Sequence, residues 1–347
     1  MSKGSRLEGL DLARYLAFVG MVIVNFKIAM GAENEHGVVG YLTSALEGRA
    51  AATFVVLAGI GLGLAAQKGL GQTTGVTIKR AAFLLAVGLL NMLVFDADIL
   101  HYYAFYFLFG VLLLSLGSLR LIGVLLGLNV AFVVMIMTLN YDTGWNWDDY
   151  TYEGFWTPAG FVRNLFFNGW HPVIPWLGFL LFGVVLSRQE LSNRRLQWQL
   201  LIGGGLTLAL AEAISAVLVG PVSAVDAELV ELVLTEPVPP MPLYFVAGLG
   251  AACIVVGFCL LVEDALKRIL VFDLLAPAGR QTLTLYIAHI LIGMGTLEAM
   301  GMLGNQTLNR SVLASLIFCA AATIYAFLWS KAFKRGPIES LMRKLAG

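Results

Sequence analysis

The sequence predicts an all-α integral membrane protein, with about ten transmembrane helices in one bundle. Three observations carry this. The chain is 59% hydrophobic with only 13% charged residues, and its mean hydropathy is +0.83, whereas a soluble domain has about 25% charged residues. Its apolar residues fall into runs close to the roughly 20 residues a helix needs to cross a bilayer core. Its basic residues collect in alternate connections, as the positive-inside rule requires.

Reading apolar windows between polar breaks places the spans at 11–30, 49–66, 81–96, 99–117, 119–139, 173–187, 198–219, 241–262, 279–298 and 311–330. The first run follows basic residues and resembles a signal peptide in outline. Asp11, Arg14, Asn25 and Lys27 interrupt it and no small-residue cleavage pattern follows, so it reads as a retained helix. The second contains GIGLG at 59–63, a small-xxx-small pair that allows close helix approach. Of the 22 Lys and Arg residues, 17 fall on one side of this arrangement, Lys3 and Arg6 at one end and Arg343 and Lys344 at the other among them. Both termini are therefore expected in the cytoplasm, which requires an even number of spans.

The chain reads as a single polytopic membrane domain over 1–347. Two outer loops are long. Residues 140–172 are acidic and aromatic, suited to an interfacial belt or to a lid over an outer pocket. Residues 220–240 hold DAELVELVLTEP, expected as a short amphipathic helix on the surface. Net charge is zero, so nothing points to nucleic acid. Cys253, Cys259 and Cys319 lie in apolar spans and read as small hydrophobes, not as a disulfide framework or metal set. There is no Walker loop, GxSxG elbow, CxxC or HExxH, and metal-ligand spacing is absent.

All four histidines fall in or near the outer half. His36, His101 and His171 sit where apolar runs meet that face, and His289 sits part-way into a helix. Imidazole titrates near neutral pH, and ionisable groups inside a membrane protein default to functional candidates. Each has a plain alternative. Asp98 serves as well to cap the helix after it and to hold His101 as a structural pair. His171 precedes Pro172 and is expected extended, just outside the sixth span. Glu47 and Arg49 open the second span, either as a salt bridge or with Glu47 orienting an imidazole and Arg49 structural. Trp170 suits stacking on a ring. On the inner side, Arg14 lies within the first apolar run. Arg280 opens APAGRQTLTLYIAH, where free backbone N–H groups favour an anion such as a phosphate-bearing donor.

Several segments resemble a known family. Leu10-Asp11-Leu12-Ala13-Arg14, Glu47-Gly48-Arg49 with ATFVVLAGIGLGLA, Gly279-Arg280…Leu283-Thr284…Tyr286, the Pro175-Trp176 pair and the terminal Arg335-Gly336-Pro337-Ile338-Glu339…Arg343 are similar to motifs of the transmembrane acyltransferase superfamily, in its YeiB-like branch. Tyr15, where Gly is usual, and Leu285, where Asn is common, depart from the pattern. The resemblance implies acyl transfer from cytoplasmic acyl-CoA or acetyl-CoA as co-substrate, without a metal, to a small-molecule or glycan acceptor on the outer side. It also implies a multi-pass protein of the bacterial cytoplasmic (inner) membrane, in contact with the lipid bilayer and with a homodimer left open. By that resemblance His36 is the base or acyl-accepting nucleophile and Tyr286 and His289 form a Tyr-x-x-His pair. Arg14, Arg280, Tyr286 and His289 then serve the donor, and Arg49, Asp98, His101, Trp170 and His171 the acceptor. The competing expectation is a transporter or binder without acyl chemistry; a third is an assembly partner in a membrane complex.

Overall fold

The computed structural model describes residues 7–33 and 36–347. Lys3 and Arg6, used above for orientation, lie outside the described residues. The described chain is helical almost throughout, and eight of its helices are long and apolar enough to span a membrane. A ninth candidate is a pair bent by 51°, Pro158–Asn168 with Val173–Ser187, and a shorter apolar helix covers Leu100–Leu113. The chain divides into two compact units. One comprises Met1–Phe54, Glu190–Gly205 and Ala251–Lys344; the other comprises Val55–Gln189, Leu206–Gly250 and Leu345–Gly347.

In the first unit, α1 (Gly9–Ala29) packs on α11 (Val271–Gly279), α12 (Thr282–Ala288) and α14 (Leu308–Ala332). The α1–α11 contact is backbone-close: a Cβ on Gly279 would overlap the carbonyl of Asp11, so glycine is required where the two motifs meet. α2 (Val38–Ser44) is a short, largely exposed helix before α3 (Arg49–Ala66). The span expected at 279–298 is segmented. α12 gives way to a π-helical turn at His289–Met294 and then to α13 (Gly295–Ala299). Such π turns inside helices cluster at functional sites. α15 (Pro337–Ala346) follows α14 and returns Glu339 to the start of α12.

In the second unit, α4 (Leu70–Asn91) pairs with α5 (Leu100–Leu113), and α8 (Val173–Ser187) packs on α5 and α6 (Ser118–Thr138). α4 starts eleven residues before the window at 81–96, because the polar stretch GQTTGVTIKR is helical despite lacking hydrophobicity. The GIGLG segment behaves as its spacing predicts. Gly59 lies against the backbone of Leu180 and Gly183, and Gly63 against Ser187, with no room for a Cβ. Residues 140–172 fold as a two-stranded antiparallel hairpin, Trp145–Asn146 with Thr151–Tyr152, then α7 (Pro158–Arg163) and a π turn at Asn164–Asn168. Phe132, Phe167 and Met241 form the core beneath it. In the 220–240 connection, α9 (Arg194–Ser223) is followed by a short helix at Ala227–Val233, of the 3₁₀ type. α10 (Pro242–Arg268) completes the long helices.

Candidate functional site

The first unit gathers polar groups at the end of α1, where the sequence is otherwise apolar. His289 is fully buried. Its Nδ1 bonds the carbonyl of Tyr286 one turn back, and Asn25 Nδ2 lies 3.0 Å from its Nε2. A carbonyl only accepts, so Nδ1 carries the proton and Nε2 is the lone pair that accepts from the Asn25 amide. Both ring nitrogens are thereby engaged, and the neutral imidazole fixes which way the Asn25 amide points. Phe18 packs edge-on to the imidazole, and Tyr286 lies 5.0 Å from it, centroid to centroid. Two residues beyond Asn25, the buried Lys27 ammonium is ion-paired with Glu47.

These contacts revise two expectations. Glu47 was expected to orient His36, but its carboxylate engages Lys27. The reason is that a buried ammonium demands an anion more strongly than an exposed imidazole does; His36 itself is exposed, just before α2. The start of α12 was expected to offer free N–H groups to a ligand phosphate. Its anion is the protein's own: Glu339 Oε1 accepts from Leu283 N (2.8 Å) and Thr284 N (3.0 Å), and Oε2 from the Thr284 hydroxyl (2.5 Å). The Thr284 hydroxyl oxygen also accepts from Ile338 N at 3.0 Å. The terminal RGPIE segment is thus the cap of the helix that carries Tyr286 and His289. Arg280 remains half-buried at the C-terminal end of α11. Arg14 is partly exposed and paired with Asp11 at 2.6 Å. Arg49 Nη1 lies 3.3 Å from the carbonyl of Ala45 and 3.5 Å from that of Ser44, satisfying carbonyls at the end of α2.

The second unit holds His101 and His171. Asp98 does what its spacing foretold and more. Its Oδ2 accepts from the His101 backbone N–H (3.1 Å) and faces His101 Nδ1 (3.2 Å), while Oδ1 accepts from Asn91 Nδ2 (2.8 Å). Both Asp98 and His101 are 0% exposed. Gly88 makes this possible, since a Cβ there would meet His101 N and Asp98 Oδ2. The Tyr102 ring contacts both imidazoles, tilted against His101 with centroids 3.9 Å apart and edge-on to His171 at 5.9 Å, and Trp176 packs edge-on to His171 at 4.6 Å. The Tyr102 hydroxyl donates to Asn164 Oδ1 (2.5 Å) and that of Tyr106 to the His171 carbonyl (2.5 Å). Trp170 packs edge-on to Trp145 within the 140–172 segment. Asn168 pins that segment: its amide donates to the carbonyls of Tyr141 and Thr143, and its Oδ1 accepts from Tyr152.

The structure therefore brings His101 and His171 together within one unit, and Asn25 and His289 within the other. Asn25 and Lys27 were read from sequence only as the polar end of the first span. A lone Asn and Lys at the close of an apolar run were the available signal. No group of three His, Cys, Asp or Glu side chains is arranged to hold a metal among the described residues.

Together these features define a multi-pass, all-α membrane protein with ionisable groups buried between its helices. The chain belongs to the heparan-alpha-glucosaminide N-acetyltransferase catalytic family, whose model matches residues 6–223. A second model, a protein family of unknown function (DUF418), matches residues 183–347. No curated protein matches the chain.

Proposed function

We infer that the chain is a transmembrane acyltransferase, moving an acyl or acetyl group from cytoplasmic acyl-CoA to a hydroxyl or amine of a small-molecule or glycan acceptor on the opposite face of a bacterial inner membrane. The observation that carries this reading is membership of an N-acetyltransferase family across 6–223, a range that includes Asn25, Lys27, His36 and Glu47. Buried polar groups at the close of α1 support it, because burial of such groups costs stability and is kept where it serves function.

In this reading His36 accepts the proton of the acceptor X–H as X attacks the thioester carbonyl. The C–S bond breaks, the thiolate of CoA leaves, and the proton passes to it. Alternatively His36 takes the acyl group first, as an acyl-imidazole, and yields it to X. His36 is exposed, so a soluble acceptor reaches it. Lys27 with Glu47, and Asn25 held by His289, serve as the polar surroundings of the developing oxyanion. Arg14 and Arg280 serve the donor phosphates through their guanidinium groups; the N-terminus of α12 is already taken by Glu339.

Purified protein in nanodiscs tests this. It should release CoA from acetyl-CoA when offered an amino sugar. A specific observation favours a second reading, a transporter or binder without acyl chemistry: the 51° break between Pro158–Asn168 and Val173–Ser187 is the kind of interruption found in transport helices. Acceptor flux into proteoliposomes without thioester cleavage selects that reading.

A further inference from the structure

The last helix, α15, has a two-sided character that the transfer scheme above does not use. Pro337, Ile338, Leu341, Met342 and Leu345 recur at helical spacing and gather on one side, with Ser340, Arg343 and Lys344 on the other. Leu341 is 49% exposed and Leu345 62% exposed, so the protein leaves the middle of the apolar side uncovered. The segment from Lys331 to Gly347 holds five basic residues, Lys331, Lys334, Arg335, Arg343 and Lys344, all exposed. Its one acid, Glu339, is committed to the α12 cap. Lys334, Arg335, Arg343 and Lys344 form no ion pair among the described residues.

The position of this helix indicates what covers it. α15 follows the 25-residue span α14 directly, after the turn Phe333–Gly336. At the end of that span Tyr325, Trp329 and Phe333 stack in a row, with successive ring centroids 5.8 and 4.3 Å apart. Aromatic rings that include Trp mark the membrane–water interface. Trp329 Nε1 donates to the Arg335 carbonyl at 2.8 Å, which fixes the turn into α15 at that level. Exposed leucines beside uncompensated cations match a surface where acyl chains give way to phosphate headgroups. A protein partner would need an apolar groove and an acidic rim together; an anionic leaflet beside α14 supplies both.

We propose that α15 is an interfacial helix that docks on the headgroups of anionic phospholipids, with Leu341 and Leu345 among the upper acyl carbons and Arg335, Arg343 and Lys344 on the phosphates. A guanidinium meets phosphate oxygens as a two-pronged donor, and the Lys ammonium meets them as a point charge. A cluster of about four to eight Lys and Arg directly cytoplasmic of a span selects anionic headgroups, and this one has five. The selected lipid is one with net negative charge, not a zwitterion, because the segment has no free carboxylate to balance a choline or ethanolamine group. Lipid docking stands whether or not the chain transfers acyl groups.

The test is native mass spectrometry of the full chain in detergent, equilibrated with equal amounts of phosphatidylglycerol and phosphatidylcholine of matched chains. The wild type should retain the anionic lipid in preference. Arg335→Gln, Arg343→Gln and Lys344→Gln combined, all at exposed positions, should lower that preference about tenfold or more, since each basic residue at an anionic surface contributes separately. Arg194→Gln with Arg195→Gln, exposed basic residues outside α15, should leave it within about twofold. In nanodiscs, amide exchange across 340–346 should be slower with phosphatidylglycerol than with phosphatidylcholine alone, and Leu341→Gln with Leu345→Gln should remove the difference. Four results overturn the proposal. The triple variant keeps the preference, or the 194/195 variant loses it equally. The α15 amides exchange alike in both lipids, which assigns the face to a protein contact. Or inorganic phosphate slows them as well in phosphatidylcholine alone, which makes the ligand a soluble anion.

Discussion

Asn25 Nδ2 donates to His289 Nε2 across 3.0 Å, joining α1 to the π turn that interrupts the span from Thr282 to Ala299. His289 is fully buried and Asn25 half-buried, and each satisfies the other, so the pair should behave as a unit. Asn25→Ala and His289→Ala should each cost about 1–3 kcal/mol, the usual penalty for stranding a buried partner. The double variant should cost less than the two single losses added together. Chemical denaturation of the four proteins in detergent checks the coupling.

The Lys27–Glu47 ion pair makes a sharper prediction. Removing one partner of a buried pair costs roughly 3–5 kcal/mol, and less here because Glu47 is partly exposed. Glu47→Gln should therefore destabilise the protein, while Lys27→Met combined with Glu47→Leu should recover most of the loss. Thermal melting midpoints compare them. A double variant no better than Glu47→Gln would show that the pair does more than balance charge.

Glu339 caps a helix 55 residues away in sequence. Glu339→Ala leaves the N–H groups of Leu283 and Thr284 without their anion and should cost about 1–2 kcal/mol. Glu339→Gln keeps an acceptor and should cost less. Hydrogen exchange at the amides of Leu283 and Thr284 should rise in the alanine variant before exchange elsewhere in α12.

Asp96 carries a pH signature. Partial loss of solvation, with repulsion from Asp149, raises its carboxyl above the ordinary aspartate value. The folded protein then binds more protons than the unfolded one just above that value, so stability falls as pH rises through this window. Asp149 acts in the opposite sense and at lower pH. Hydrogen bonds from Thr151 lower its pKa, so its contribution is lost as pH falls through the folded value. Melting midpoints measured across the carboxylate range should show the Asp96 slope disappear in Asp96→Asn.

Much of the fold is legible in the sequence because span helices announce themselves by length and apolarity. The spans at 49–66 and 173–187 match α3 and α8 to the residue. The polar start of α4 was invisible to hydropathy, since its helix is held by packing on α5. The break at His289–Met294 left no proline or polar run to betray it. In the candidate site, the Asp98–His101 contact is a three-residue spacing and could be read directly. Glu47–Lys27 and Glu339–Thr284 join distant positions, so the same carboxylates looked available for other work. RGPIE was recognisable as a motif, but its physical role as a helix cap required the structure.

The most direct test of acyl transfer is CoA release from acetyl-CoA by purified protein in nanodiscs, wild type beside His36→Ala, with intact-mass analysis for an acyl adduct. Transfer through His36 predicts acceptor-dependent thioester cleavage that falls at least a hundredfold in His36→Ala while expression and acetyl-CoA binding persist. Equal turnover in the two proteins would remove His36 from the mechanism, and neither turnover nor CoA binding in the wild type would contradict acyl transfer itself.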